Sequence, residues 1–175
     1  LGQSVSSTFS DENVGTGITV TVNSITLSDG TNGGLANNYS ISSGQTTTAN
    51  ITAKSVTVSG ITASNKTYDA STSATVDVSG ASFSGIVSGD NLSVSASGVF
   101  DNANVGTAKT VTLTSSYSGD DVNNYSITDQ ASTTANVTQK ALTATASASN
   151  KSYDAATTAT VTLTFSGLIG SETLG

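Results

Sequence analysis

The sequence predicts an all-β chain in which tandem antiparallel β-sandwich units follow one another in an extended array. Three observations lead to this prediction. Short segments alternate strictly between polar and apolar residues, as in 55–59, which read SVTVS. Turn-forming clusters of Gly, Asn and Asp separate these segments. Residues 63–76 return as 148–161 with eleven identities in fourteen positions, which indicates an internal repeat.

Two further pairs of segments complete the repeat. Residues 9–22 match 100–113 at eight of fourteen positions, around the shared NVGT. Residues 37–54 match 123–140 at eleven of eighteen positions, around NNYSI and TTAN. The order NVGT, NNYSI, TTAN and NKxYDA therefore recurs along the chain.

The order of these signatures predicts the domain organisation. Residues 54–139 form one complete repeat unit, 1–53 are the C-terminal part of a preceding unit, and 140–175 are the N-terminal part of the next. We therefore expect the chain to be a window on a longer array, in which each unit packs against its neighbours.

Within the complete unit, the alternation predicts seven strands and no amphipathic helix. Several short strands in 86 residues favour an Ig-like antiparallel sandwich, although the Cys and Trp of antibody domains are missing. The strands are predicted at 55–59, 61–66, 74–79, 91–98, 108–115, 124–128 and 132–138. The predicted core is Val56, Val58, Ile61, Tyr68, Val76, Val78, Phe83, Leu92, Val94, Phe100, Val111, Leu113, Tyr125, Ile127 and Val137.

Composition excludes several classes of function. The chain has no Cys and no His, so thiolate chemistry, disulfides and the usual general base are all missing, and we predict no enzymatic activity and no cofactor. The net charge of −7 argues against a nucleic-acid partner. No apolar run approaches the length of a membrane span, so we predict no membrane insertion in these residues.

The order NKxYD(G/A), SGD, NVGT, NYS(I/L) and TTAN(I/V)TxK resembles the YDG-type repeat of large bacterial surface proteins, including filamentous-haemagglutinin-like adhesins. The resemblance extends over the whole chain as parts of three repeats. It implies a secreted or surface-displayed stalk or adhesive repeat. Here Ala70 and Ala155 stand where the family usually has Gly, so we expect an ordinary backbone φ at both positions.

The name-giving motif is interpreted as structural. Its members are Asn65, Lys66, Tyr68 and Asp69 in one copy and Asn150, Lys151, Tyr153 and Asp154 in the other. Alternation in a strand places Lys and Tyr on one face, and the Asp is suited to accept backbone N–H groups in the following turn. A sharper hypothesis is an intramolecular Lys-to-Asn isopeptide bond, for which Lys66 with Asp69 or Asp101 is the candidate.

Calcium is the only cofactor with candidate ligands. Carboxylate and amide oxygens suit Ca²⁺, and they occur at Asp120, Asp121 and Asn123 and near the unit junctions at Asp69 and Asp154. Asp11 with Glu12 is a further pair. None of these groups has the spacing of a known calcium loop, so solvated turn carboxylates are the alternative interpretation.

The sequence thus predicts a structural repeat of an extracellular bacterial surface stalk, fibre or adhesin, which projects and spaces other parts. The expected partners are neighbouring units of the same or of identical chains, arranged as beads or as a lateral filament. The alternative is that the units themselves bind a host receptor or a glycan.

Overall fold

A computed structural model describes residues 2–174, and the fold is all-β, as the sequence predicts. Among these residues, fifteen strands are joined by loops and by two single turns of 3₁₀ helix, Ala36–Asn38 and Val122–Asn124. Within 2–174, no helix is long and apolar enough to cross a membrane. The chain divides into two compact units, each assembled from segments that are separate in sequence.

The first unit comprises the residues up to Val58 together with Phe83–Ser93 and Tyr117–Thr128. It contains one three-stranded sheet in the order β1-β2-β3 and a second in the order β12-β4-β9. Its strands are β1 (Gly2–Phe9), β2 (Gly15–Ser28), β3 (Thr46–Ile51), β4 (Lys54–Ser59), β9 (Ser82–Ser84) and β12 (Tyr125–Thr128).

The second sheet of this unit contains a parallel pair. β12 lies parallel to β4, with Tyr125 opposite Lys54 and Ile127 opposite Val56. Because alternate side chains share a face, the apolar members of both strands point to the same side. Val56, Val58 and Tyr125 are accordingly buried.

The second unit comprises Ser59–Ser82, Val94–Ser116 and the residues from Asp129 onward. It contains a five-stranded sheet in the order β6-β13-β11-β10-β7 and two two-stranded sheets, β5-β8 and β14-β15. Its strands are β5 (Thr62–Ala63), β6 (Lys66–Thr67), β7 (Ser73–Ala74), β8 (Val76–Asp77), β10 (Ser93–Phe100), β11 (Gly106–Ser118), β13 (Ser132–Thr138), β14 (Thr143–Ala148) and β15 (Val161–Ser166).

The core of the second unit lies along the five-stranded sheet. β11 pairs antiparallel with β13, with Lys109 opposite Ala135 and Val111 opposite Thr133. The strictly alternating sequence of β11 directs every second side chain inward. The buried apolar residues of this unit are Ile61, Phe100, Val111, Leu113, Ala135 and Val137.

The predicted strands agree closely with the observed ones at 54–59, 93–100, 106–118, 125–128 and 132–138. The predicted strands 61–66 and 74–79 are each broken into two short pieces, and β9 was not predicted. The predicted core residues Tyr68, Val76, Val78, Phe83, Leu92, Val94 and Ile127 are half-buried, whereas the other predicted core residues are buried. The repeat boundaries at 54 and 139 remain a prediction.

Candidate functional site

The first copy of the repeat motif forms a tight corner around the Lys66 ammonium group. Its Nζ donates to Oδ1 of Asp69 at 2.7 Å and to the backbone carbonyls of Ser71 at 2.7 Å and Ser73 at 3.1 Å. The same Nζ lies 5.3 Å from the ring centroid of Phe100, within the range of a cation–π contact. Three acceptors and a ring therefore saturate this lysine, which we call the lysine corner.

The carboxylate of Asp69 closes the corner from the other side. Its Oδ1 also accepts the backbone N–H of Ser71 at 2.9 Å. The hydrogen bond from Lys66 and then that from Ser71 hold the pKa of Asp69 below its usual value. The charged form of Asp69 is therefore part of the folded corner.

The second copy repeats this corner with fewer contacts. Lys151 Nζ donates to Asp154 Oδ1 at 2.9 Å and to the carbonyl of Ala156 at 2.8 Å, and the Ala156 N–H returns to Asp154 Oδ1 at 3.0 Å. The hydrogen bond from Lys151 is the main cause that lowers the pKa of Asp154. The Lys151 side chain is 41 % exposed, whereas that of Lys66 is 18 % exposed.

The alanine of the motif has a left-handed backbone, and the expectation of an ordinary φ was wrong. Ala70 has φ 58° and Ala155 has φ 53°. A left-handed residue reverses the chain, so that the next N–H reaches back to the carboxylate of Asp69 or Asp154. The geometry of the corner therefore overrides the intrinsic preference of alanine, which disfavours this region.

The isopeptide candidates lie in two separate ion pairs. Lys66 is paired with Asp69, and Asp101 is paired with Lys109, whose Nζ lies 2.8 Å from Asp101 Oδ1. Lys109 Nζ also donates to Asn102 Oδ1 at 2.8 Å. Lys109, Asn102 and Asp101 thus bring together a buried lysine, an asparagine and a carboxylate, which are the three groups that an isopeptide bond of this kind requires.

Sequence reasoning missed Lys109, which is a buried charged residue with 9 % exposure. A signal was present, because Lys109, Val111 and Leu113 alternate along β11 and therefore share its inward face. The preceding repeat carries Ser10, Asp11 and Ile18 at the positions of Asp101, Asn102 and Lys109. The ion pair between the buried Lys109 and the exposed Asp101 therefore has no counterpart at the equivalent residues Ser10 and Ile18.

Asparagine amides tie neighbouring loops to strands. Asn65 Oδ1 accepts the backbone N–H of Asn136 at 2.6 Å, and Asn136 Oδ1 accepts that of Ala108 at 2.7 Å. The equivalent of the second bond runs from the Gly17 N–H to Asn50 at 2.9 Å. The asparagine side chains of the NKxYDA and TTAN signatures thus accept hydrogen bonds from backbone N–H groups.

Three of the acidic residues considered as calcium ligands, Asp69, Asp121 and Asp154, form hydrogen bonds or ion pairs with protein groups. Asp69 and Asp154 each hold a lysine ammonium, as described above, and Asp121 Oδ2 accepts the backbone N–H of Asn91 at 2.8 Å. Within residues 2–174, no group of three or more Asp, Glu, His or Cys side chains is arranged to hold a metal ion.

The first unit contains a cavity of about 340 Å³ whose lining includes Lys54, Asp90, Asp121 and Tyr125. Tyr125 OH donates to Asp90 Oδ2 at 2.5 Å and accepts the backbone N–H of Val87 at 2.9 Å. Desolvation, followed by the hydrogen bond to Asp90, raises the pKa of Tyr125. The tyrosine is therefore fixed as a neutral donor at the wall of this cavity.

The second unit contains a cavity of about 460 Å³ whose lining includes Tyr68, Val105, Lys140, Leu142 and Glu172. Tyr68 OH donates to the Glu172 carboxylate, and this hydrogen bond is the main cause that raises the pKa of Tyr68. The tyrosine of the repeat motif thus contacts a residue 104 positions later in the chain.

The two cavities have linings that correspond in the repeat. The first cavity is lined by residues on both sides of the predicted boundary at 54, and the second by residues on both sides of the predicted boundary at 139. Across the first of these predicted boundaries, the Val14 N–H donates to Asn124 Oδ1 at 2.9 Å. The equivalent lining positions are Val14 and Val105, Lys54 and Lys140, and Asp90 and Glu172. We call this arrangement the repeat junction.

Comparison with known protein families gives a match in the middle of the chain. The architecture is all-β, and the lysine corner occurs twice along the chain. A YDG domain is found at residues 52–135, which include the lysine corner and the buried Lys109 ion pair. No curated protein and no solved structure matches the chain.

Proposed function

We propose that the chain is a structural segment of an extracellular bacterial surface stalk, fibre or adhesin, in which Ig-like sandwich repeats project and space other parts. Its partners are neighbouring repeats of the same or of identical chains. The repeats act as a rigid spacer that projects other parts of the protein, and they do not catalyse a reaction.

The repeat junction is the observation that carries this proposal. The same three positions line a cavity twice, once in each compact unit. A junction that recurs at the same sequence positions transmits a similar geometry from each repeat to the next, as in solenoid and array proteins. A freely jointed string of beads has no need of such a recurrent contact.

The surface chemistry supports an extended extracellular setting. The chain carries no Cys or Met and so offers no readily oxidised side chain. Its net charge of −7 disfavours self-aggregation of the array and adhesion to anionic surfaces.

Measuring length against repeat number tests the proposal. Chains extended by one and by two further copies of residues 54–139 are compared by small-angle X-ray scattering. We expect the maximum dimension to rise by a constant increment per copy. A matched control adds a Gly/Ser linker of equal length, whose reach grows roughly as the square root of residue number. Compact growth of the repeat chain, with no constant increment, would contradict the stalk.

The alternative function is recognition of a receptor or glycan by the repeats themselves. One observation favours it, since the Tyr153 side chain is 94 % exposed and presents an aromatic face to solvent. A glycan array compares the chain with its Tyr153→Ala variant. Binding that the variant loses would support recognition, and the absence of any hit would contradict it.

A further inference from the structure

We propose that Asn32 is a site of spontaneous deamidation, at which the backbone nitrogen of Gly33 displaces the side-chain amide as ammonia. The product is a mixture of aspartate and isoaspartate at position 32. Water is the co-reactant and no enzyme is needed, so the inference goes beyond the proposed structural function and does not depend on it.

Asn32 differs from the other asparagines of the sequence because a glycine follows it. The chain has fourteen asparagines, and at the other thirteen the next residue carries a side chain. Such a side chain hinders the approach of the backbone nitrogen to the asparagine Cγ, whereas glycine has no Cβ. The attack is therefore least hindered at Asn32.

This pair of residues lies in a loop that is longer than its counterpart in the complete repeat. β2 ends at Ser28 and the 3₁₀ turn begins at Ala36, which leaves seven residues between them. In the equivalent place, three residues separate the end of β11 at Ser118 from the 3₁₀ turn that begins at Val122. The longer connection leaves more backbone outside the hydrogen-bond ladders of the sheets.

A hydrogen bond closes the base of this loop and leaves its tip free. The Gly30 N–H donates across the loop to the Gly34 carbonyl at 2.8 Å. Within residues 2–174, no hydrogen bond involves the Gly33 N–H or the side-chain amide of Asn32. Both groups that would react are therefore without a competing partner in the described chain.

The tip of the loop also has room to change conformation. Asn32 and Gly33 are exposed, and among the described residues no atom lies within 4 Å of the position that a Cβ of Gly33 would occupy. Gly33 has a φ of 79°, a region that glycine adopts without strain. Ring closure requires rotation about the Asn32 backbone and side chain, and an exposed tip permits this rotation at little cost.

The same loop contains a similar pair whose groups are held in place. Asp29 precedes Gly30, so its carboxyl carbon is also followed by a glycine nitrogen. Here Asp29 Oδ1 accepts the Ala36 N–H at 2.7 Å, and the Gly30 N–H is bonded to Gly34. The structure thus distinguishes two pairs that look alike in the sequence.

The reaction is balanced with water alone. The Gly33 nitrogen forms a bond to Asn32 Cγ while the Cγ–Nδ2 bond breaks, and the Gly33 amide proton leaves with Nδ2 as ammonia. Water then opens the imide ring at either of its carbonyl carbons, which gives aspartate or isoaspartate. Each event adds one negative charge at neutral pH to a chain whose net charge is already −7.

The modification accumulates with time, because no step restores the amide. The loop lies between β2 and the 3₁₀ turn Ala36–Asn38, so the new charge and the rearranged backbone fall outside the paired strands. We expect the sheet β1-β2-β3 to survive the change. The extent of conversion at position 32 therefore records the time since synthesis.

Intact mass and peptide mapping test the proposal. The folded chain is incubated at neutral pH and physiological temperature, and each deamidation raises its mass by about one dalton. We expect Asn32 to react at least about tenfold faster than Asn23, which lies in β2 and precedes Ser24. Asn32→Gln should remove this fast component. Equal rates at Asn32 and Asn23 would overturn the proposal.

A second variant separates the geometry of the loop from its sequence. Asp29→Asn places another asparagine before a glycine, and its side-chain oxygen can accept the Ala36 N–H as the carboxylate does. In the folded variant we expect position 32 to react faster than position 29. In denaturant, which removes these hydrogen bonds, the two positions should react at similar rates. A folded variant in which position 29 reacts as fast as position 32 would show that the loop hydrogen bonds do not select Asn32.

Discussion

Ala70 and Ala155 occupy the same left-handed backbone conformation, with φ of 58° and 53°, at equivalent positions of two repeats. Alanine is disfavoured there because its Cβ approaches the following carbonyl oxygen. The conformation persists because it lets Asp69 and Asp154 accept the N–H groups of the residues that follow each alanine.

Replacing Ala70 with glycine should therefore stabilise the protein. We expect Ala70→Gly to raise the free energy of unfolding by about 1 kcal/mol, since the relief of left-handed strain exceeds the entropic cost of glycine. Chemical denaturation measures the change. Ala63→Gly, in β5, is the matched control and should lower stability by about 0.5 to 1 kcal/mol; equal effects at both positions would contradict the strain at Ala70.

The lysine corner should make the fold sensitive to acid. The pKa of Asp69 is lower in the folded state than in the unfolded one, chiefly because of its hydrogen bond with Lys66. The stability it contributes is complete above the unfolded pKa near 3.8 and is lost as pH falls through the folded pKa. Thermal unfolding of wild type and Asp69→Asn between neutral and acidic pH should show a smaller acid loss in the variant.

The second corner provides the control for that experiment. Asp154→Asn removes an equivalent carboxylate from a lysine that is more exposed. We expect it to alter the acid profile less than Asp69→Asn does, because solvent screens an exposed ion pair more strongly. A larger effect of Asp154→Asn would argue against the role assigned to the Lys66 corner.

The tyrosines of the two cavities should respond to alkaline pH. The pKa values of Tyr68 and Tyr125 are raised, mainly by the bond to Glu172 and by desolvation respectively. Their contribution to stability is complete below the unfolded value near 10 and is lost as pH rises through the folded pKa. Tyrosinate absorbance should show components that ionise above the usual value near 10, and Tyr68→Phe should remove one of them. An unchanged set of late components in Tyr68→Phe would contradict this prediction.

Gly98, in β10, lies where the surrounding side chains leave no room for a Cβ atom. A Cβ placed there would lie 2.7 Å from Val76 Cγ2 and 2.8 Å from Val111 Cγ1. We expect Gly98→Ala to cost about 1 to 3 kcal/mol of stability through overpacking. Val111→Ala should relieve part of this, so the double variant should lose less than the sum of the single variants. Strict additivity would show that the clash is not with Val111.

Intact mass tests the isopeptide hypothesis at both lysines. We expect the mass calculated from the sequence, because Lys66 Nζ and Lys109 Nζ are each held in an ion pair, with Asp69 and with Asp101 respectively. A mass lower by one ammonia, with a cross-linked peptide joining Lys109 to Asn102, would show that the bond has formed. Lys109→Arg would then restore the full mass.

Most strands of the complete repeat could be predicted because alternation and turn residues act locally, as in 132–138, where prediction and structure coincide. The left-handed conformation of Ala70 could not be predicted. The hydrogen bonds that Asp69 accepts from Lys66 and from the Ser71 N–H outweigh the intrinsic preference of alanine. Lys109 escaped because its partners Asp101 and Asn102 are brought to it only by the fold.

The parallel pair of β4 and β12 imposes an order on folding. Residues 54–57 meet 125–128, so about 70 residues separate the two strands along the chain. Such distant pairing slows folding, because the loop between the strands must be closed before the contact can form. During synthesis, β4 leaves the ribosome before β12 and remains without this strand partner until β12 has been made. The sheet that contains β4 is therefore completed only when residues 125–128 emerge, and until then the edge of β4 that β12 will occupy stays unpaired.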